Sequence, residues 1–207
     1  MGSRPAPDGT VLVGPKRLLT ENTHVNELEP AAARGETPAM LSPEIQLLVL
    51  DVDGVLTDGG IIRDDSGQQI KRFHVRDGTG LVIWRRLNRQ VALLTGKESL
   101  VVQHRAEELG IQHVFQNVTN KVEIYADLLE QLGFSDAQTA YIGDDLPDLP
   151  VLRRCGCPIA VADAAEEVRA VARYVTKYPG GYGAVRDAIE WLCKRMNLWE
   201  QALARYA

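Results

Sequence analysis

"LLVLDVDGVLTDGG", residues 47–60, runs from four apolar residues into two aspartates one residue apart, Asp51 and Asp53, and then into a glycine-rich turn. The apolar part reads as a short strand buried on both faces. Two carboxylates about 4 Å apart at the end of such a strand repel by roughly 4 kcal/mol at an effective dielectric of about 20. A chain that places them there needs something to hold them together.

Working outward, the same strand signal recurs. IQLLVLDV (45–52), VALLTG (91–96), TAYIGDD (139–145) and CPIAVAD (157–163) are short apolar runs bounded by turn residues. Helical patterns lie between and after them, over 80–89, 97–110, 121–133, 146–156, 164–174 and 182–196. Strands alternating with helices of this length predict an α/β fold, a Rossmann-like parallel sheet with helices on both faces. Right-handed crossovers align the loops after the strands along one edge, where such sheets bind ligands. That edge collects Asp51 and Asp53, Thr95-Gly96, Lys121, and Asp144, Asp145 and Asp148.

One insertion interrupts the rhythm. In residues 58–80, IIR and IKRFHV flank a DDSGQQ turn, which predicts a β-hairpin flap above the strand ends. An isolated hairpin is marginal in water, so this one is expected to pack on a neighbouring subunit. Before residue 43 the pattern fails: residues 1–42 hold five of the ten prolines and no sustained period. They read as a flexible extension to a domain over 43–207.

Composition excludes several functions. At 207 residues, 45% hydrophobic and 25% charged, the chain is ordinary globular material. A net charge of −5 argues against a nucleic-acid partner. No apolar run approaches the roughly 20 residues of a membrane span. The three cysteines, Cys155, Cys157 and Cys193, lack metal-site spacing and read as reduced thiols, and no secretory signal pattern opens the chain. A cytoplasmic protein is expected.

Chemistry follows from the carboxylates. Four or five converging on one edge require a divalent cation or shifted pKa values, and a hard ion with oxygen ligands that retains water and meets phosphate is Mg²⁺. A carboxylate with one free oxygen can attack phosphorus while its neighbour moves a proton. Thr95 and Lys121 would hold phosphoryl oxygens as charge redistributes. Each motif alone is weak: a lone DxD is often a solvated turn, and GDDLPD alone can cap a helix. Their joint occurrence at successive strand ends points to a site.

The sequence DVDGVLTDG, followed by LLTG, a lysine and GDDLPD, resembles the haloacid dehalogenase superfamily of phosphotransferases. FHVRDGTG (73–80), YIGDDLPDLPVL (141–152), AVADA (160–164) and GGYGAVRD (180–187) are similar to its 3-deoxy-D-manno-octulosonate 8-phosphate (KDO 8-phosphate) phosphatases. The resemblance covers residues 45–196. It implies a fold without a cap domain, with the hairpin and adjacent subunits of a homotetramer covering the site. It implies Asp51 as nucleophile, Asp53 as acid and base, and Mg²⁺ on Asp51, the Asp53 carbonyl and Asp144. Asp145 and Asp148 would orient that shell and the neighbouring lysine, and Thr95, the Gly96 amide and Lys121 would bind the phosphoryl group.

The sugar carboxylate calls for further cations, for which Arg76, Lys97 and Arg105 are the candidates. Arg105 lies eight residues beyond Lys97, the same face of one helix. The family usually has arginine directly after TG, where this chain has Lys97. The related nonulosonate (sialic-acid type) 9-phosphate phosphatases have glutamate there, and lysine where this chain has Glu108. The substrate expected is thus the small sugar phosphate KDO 8-phosphate. A nonulosonate 9-phosphate, or a non-catalytic oligomerisation or regulatory module, is the alternative.

Overall fold

The structure, a computed structural model, describes Leu41 and residues 44–206; most of the expected 1–42 extension lies outside the described residues. Six strands form one sheet: β1 (Leu47–Leu50), β4 (Gln90–Leu94), β5 (His113–Phe115), β6 (Thr139–Gly143), β7 (Cys157–Ala160) and β8 (Tyr174–Val175). Their order is β5-β4-β1-β6-β7-β8, every pairing parallel. β1 sits at the centre with no exposed residue, because Leu47, Leu48, Val49 and Leu50 face helices on both sides. Leu50 lies opposite Leu93 of β4 and Ile142 of β6, so the segments after β1, β4 and β6 emerge side by side.

The helices are α1 (Val75–Arg86), α2 (Leu100–Leu109), α3 (Lys121–Leu132), α4 (Leu149–Leu152), α5 (Glu166–Val171), α6 (Ala184–Arg195) and α7 (Trp199–Leu203). The strand order reverses direction after β5, so right-handed crossovers divide the helices between the two faces. On one face α1 packs against α2, α6 and α7; on the other α4 packs against α3 and α5. The expected parallel sheet flanked by helices is the architecture observed.

Several boundaries differ from the sequence reading. Helix α1 begins at Val75, not residue 80, so the last six residues of the expected 58–80 insertion are helical. Gly80 is a packing position of this helix: a Cβ there would lie 3.1 Å from the Arg186 backbone of α6. The hairpin itself is short, β2 (Ile62–Arg63) against β3 (Gln69–Ile70), and its turn is organised by Asp64, whose Oδ1 accepts from the Ser66 and Gln68 amides. The expected 146–156 helix is a 3₁₀ turn over Leu146–Asp148 followed by α4, with Pro147 and Pro150 each removing a backbone donor. The short edge strands β5 and β8 and helix α7 carry too few residues to show a period.

Asp77 ties α1 to α6. It is buried, and its carboxylate accepts from the Gly183 amide (3.1 Å) and the Arg186 amide (2.8 Å) at the start of α6. These are donors that a helix leaves unpaired at its N-terminus. The same contact fixes the preceding loop, whose Gly181 amide donates to the Val55 carbonyl beside Asp53. Asp77→Ala should therefore destabilise the fold by about 1–3 kcal/mol, since it leaves buried donors without an acceptor. Chemical denaturation checks this; a variant as stable as the parent would show that the cap is dispensable.

Candidate active site

The segments leaving β1, β6 and the N-terminus of α3 bring Asp51, Asp144, Asp148 and Lys121 together. Asp51 directly follows the buried strand, with its amide held by Ile142 O of β6 at 3.0 Å, so its side chain is placed by the sheet itself. One oxygen each of Asp51, Asp144 and Asp148 lies within 4.8 Å of the others. Lys121, the first residue of α3, reaches into the cluster with its Nζ 3.0 Å from Asp51 Oδ1 and 2.7 Å from Asp148 Oδ1. Its buried position would lower the lysine pKa, but the negative charges of Asp51 and Asp148 prevail and raise it.

The three carboxylates are not equivalent. Asp148 is fully engaged: Oδ1 accepts from Lys121 and from Tyr141 OH (2.6 Å), and Oδ2 accepts from the amides of Asp144 (3.0 Å) and Asp145 (3.4 Å). It holds other groups in place and has little capacity left for a ligand. Asp144 is the opposite case, because its Oδ1 is buried with no hydrogen-bond partner among the described residues. Its other oxygen lies 2.0 Å from where a Cβ on Gly54 would stand, so only glycine at 54 lets the β1 loop pass this carboxylate. An orphaned buried oxygen beside a second carboxylate is the donor set of a hard divalent cation. Asp51, Asp144 and backbone carbonyls can hold one.

Without a cation the cluster resists ionisation. Burial, with the Asp148 charge adding and Lys121 opposing, raises Asp51 from the usual carboxylate range to about 6. Burial, then the charges of Asp51, Asp148 and Asp145, raises Asp144 to about 8.

The other expected site residues divide. Thr95 is buried at the end of β4, its amide bonded to Phe115 O and its carbonyl to the Val118 amide; Gly96 and Lys97 follow it and are exposed. Asp53 faces the hairpin, where its Oδ1 contacts Lys71 Nζ and the Thr57 hydroxyl (3.5 Å). A cavity of about 80 Å³ between the hairpin and the β4 loop is lined by Asp53, Lys71 and Lys97, among others. Asp145 caps the turn that follows it, its Oδ1 accepting from the Leu146 amide at 2.8 Å, while Lys121 is held by Asp51 and Asp148. Arg76 is exposed on the first turn of α1. Arg105 pairs with Glu108 (2.9 Å) and lies over the Phe73 ring. The expectation that Arg105 and Lys97 share a helix face is corrected, because α2 begins at Leu100 and Lys97 lies in the loop before it.

Three contributors were missed in the sequence. Lys71 sits in the IKRF segment beside an Arg and after an exposed Ile, with no periodic signal to turn it inward. Tyr141 reads as a strand residue, which it is, and its hydroxyl role depends on a residue seven positions away. Thr57 stands in the quoted motif itself, where its hydroxyl also accepts from the Gly54 (3.4 Å) and Gly59 (3.3 Å) amides and shapes the loop.

Comparison with known proteins places these residues in context. A family model described as haloacid dehalogenase-like hydrolase matches residues 84–189. The chain is 45% identical over 158 residues to the 3-deoxy-D-manno-octulosonate 8-phosphate phosphatase of Salmonella typhi, covering 76% of this chain and 84% of that one. It is 44% identical over the same length to that of Escherichia coli K12. Among solved structures it resembles the Moraxella catarrhalis 3-deoxy-D-manno-octulosonate 8-phosphate phosphatase in complex with magnesium, phosphate and KDO. That match has a TM-score of 0.77 and 40% identity, over 79% of this chain and 94% of that one. A cobalt-bound phosphatase of this kind from Haemophilus influenzae matches with a TM-score of 0.74 and 38% identity, over 77% and 96% of the two chains.

The raised carboxylates generate a prediction with a definite sign. An unfolded Asp titrates near 4, below both folded values. These two groups therefore favour the folded state only while protonated, a contribution present below about pH 4 and lost as pH rises through about 6 and then 8. A cation that binds the ionised forms reverses that loss. A saturating divalent cation should then raise the melting temperature more at about pH 8.5 than at about pH 5.5. A thermal shift equal at both pH values would refute the assignment of the cation to this cluster.

Proposed function

The chain belongs to the haloacid dehalogenase-like hydrolases, in the KDO 8-phosphate phosphatase family, and from that premise we propose how its residues hydrolyse the 8-phosphate of KDO. The observation that carries the reading is the pair of adjacent carboxylates at the central strand ends, Asp51 against Lys121 and Asp144 with an unpartnered buried oxygen. An enzyme of this family is a phosphoric monoester hydrolase, and Mg²⁺ suits the all-oxygen donor set. Asp51, the carbonyl of Asp53 and Asp144 would hold it. When bound, the ion would supply positive charge that offsets carboxylate and phosphate repulsion.

Asp51 is the nucleophile. Its attack forms an aspartyl-phosphate as the bond from phosphorus to the sugar oxygen breaks. Asp53 delivers a proton to that departing oxygen and then takes one from the water that hydrolyses the intermediate. Thr95, the Gly96 amide and Lys121 bind the phosphoryl oxygens. Lys121 suits this role because its ammonium is held on two carboxylates at the N-terminus of α3 and needs no reorganisation as charge develops. Asp148, fixed by four donors, orients Lys121 and the Asp144 loop from behind. Asp145 supports the same loop by capping its turn.

For the sugar carboxylate, Lys97 is the favoured partner, since it shares the cavity of Asp53. Arg76 is exposed and open to a substrate that reaches the first turn of α1, whereas Arg105 is already paired with Glu108. Among the described residues no helix is long and apolar enough to cross a membrane. The free, buried thiols of Cys155, Cys157 and Cys193 support a reducing, cytoplasmic setting. Ile61, Ile62 and Ile70 of the hairpin are 74%, 48% and 52% exposed, and Val75 beside them 76%. This apolar surface supports assembly into a homotetramer in which hairpins cover one another and the sites.

Phosphate release with Mg²⁺ present should be fastest on KDO 8-phosphate, and Asp51→Asn should lower it by at least about 10⁴-fold while the protein keeps its fold. A preference for a nonulosonate 9-phosphate would move the chain to the sialic-acid branch, and an active Asp51→Asn variant would remove Asp51 as nucleophile. Sedimentation at micromolar concentration should show a tetramer that Ile61→Asp with Ile70→Asp dissociates. A fully active monomer would overturn the assembly.

A further inference from the structure

We propose that Lys71 is a positioning residue for Asp53, coupling the order of the β2–β3 hairpin to the proton-transfer step. The proposal rests on the reading of Asp53 as acid and base and adds how that carboxylate is aimed. Lys71 directly follows β3, and its side chain is only 8% exposed although it stems from a hairpin whose isoleucines face outward. Its recorded partner is Asp53, with which it forms a close ion pair. Burying an ammonium for one carboxylate contributes little to stability once desolvation is counted. Its value at this place lies in what it does to Asp53.

The geometry of the pair is specific. Lys71 Nζ and the Thr57 hydroxyl both approach Oδ1 of Asp53. Lys71 is the close partner and comes from the hairpin. The Thr57 hydroxyl makes only a long contact (3.5 Å) from the loop after β1, its one proton shared with Val52 O (3.4 Å), so both stand on one oxygen. Among the described residues no hydrogen bond occupies Oδ2. In the acid form of Asp53 that oxygen carries the proton while Oδ1 accepts from Lys71, and Oδ2 gives this proton to the departing sugar oxygen as the bond from that oxygen to phosphorus breaks and the bond from Asp51 to phosphorus forms. It later accepts a proton from the attacking water.

The next residue steadies the grip. Arg72 projects to the other side of the chain, where it bonds Asp58 and the Tyr182 hydroxyl and lies 4.9 Å from the centre of the Tyr182 ring. The stem of the hairpin is thereby fixed at two consecutive residues, inward to Asp53 and sideways to the loop that precedes α6. Movement of the hairpin would shift Lys71, and with it the direction in which Asp53 presents its free oxygen. Misplacement by about 1 Å at a reacting group can cost on the order of 100-fold in rate.

The test uses leaving groups. Para-nitrophenolate departs without a proton, whereas a sugar alkoxide needs one, and kcat/KM reports the steps through phosphoryl transfer. Lys71→Met should lower kcat/KM on KDO 8-phosphate at least about tenfold more than on para-nitrophenyl phosphate. Lys71→Arg, which keeps the cation, should restore most of the difference. A lysine that merely anchors the hairpin would depress both esters equally, and that result overturns the proposal. Asp53→Asn in the same assays separates the two readings. If Asp53→Asn shows the selective loss and Lys71→Met does not, Lys71 is not a positioning residue while Asp53 stands. If Asp53→Asn depresses both esters alike, the acid–base reading itself falls. Should Lys71→Met fail to fold, Lys71→Gln read by the same ratio decides.

Discussion

Mutual repulsion among buried carboxylates is the constraint around which this molecule is built. Asp51 and Asp144 are raised in pKa because the sheet delivers them to one edge and the surrounding loops strip them of water. Lys121 offsets part of that repulsion through Asp51, and Asp148 anchors the lysine in turn. What remains uncompensated is an oxygen of Asp144 and the net negative charge of the cluster. An all-oxygen cluster with an open buried oxygen suits a divalent cation, whose charge offsets that tension. Stability is given up locally, and the site is ready for charge before the substrate arrives.

Holding the cluster requires support from distant parts of the chain. β1 is buried on both faces, so Asp51 cannot move without the centre of the sheet. Asp148 is clamped by Tyr141 from β6 and by two amides of its own loop, which makes Lys121 a fixed donor instead of a flexible side chain. The loop before α6 closes over the β1 turn through Gly181 and Val55, and Asp77 of α1 secures that loop from beneath. The hairpin adds the remaining wall. These loop contacts, and not a separate domain, enclose the cluster.

Much of this was legible in the residues. The strands at 47–50, 90–94, 139–143 and 157–160 announce themselves as short apolar runs, and the polar groups that follow them fall at predictable strand ends. The boundaries that misled did so for identifiable reasons. Helix α1 starts at Val75, ahead of the 80–89 pattern, and its Gly78 and Gly80 let it approach α2 and α6 closely. Lys97 and Arg105 seem to share a helix until Ser99 and Leu100 start α2 later than the pattern suggests. β5 and β8 are edge strands of three and two residues, paired on one side only, and too short for periodicity to register.

The sequence by itself determined the four inner strands and the longer helices between them, the parallel sheet, and the identity of the carboxylates, threonine and lysine at its edge. Those follow from local patterns: apolar period, turn residues, and the handedness of crossovers. Only the tertiary structure decided which carboxylate is satisfied and which is left open, because that depends on partners far apart in the chain. Asp148 meets Lys121 across 27 residues, Asp77 meets Arg186 across 109, and Lys71 meets Asp53 across 18. Nothing in a neighbouring residue records such distances. A charged side chain reads the same in sequence whether it is solvated, paired with its own helix as Arg105 is, or buried against a carboxylate of another loop as Lys71 is. Burial and partner are properties of the packed chain, and they set the charge state and aim on which the chemistry depends.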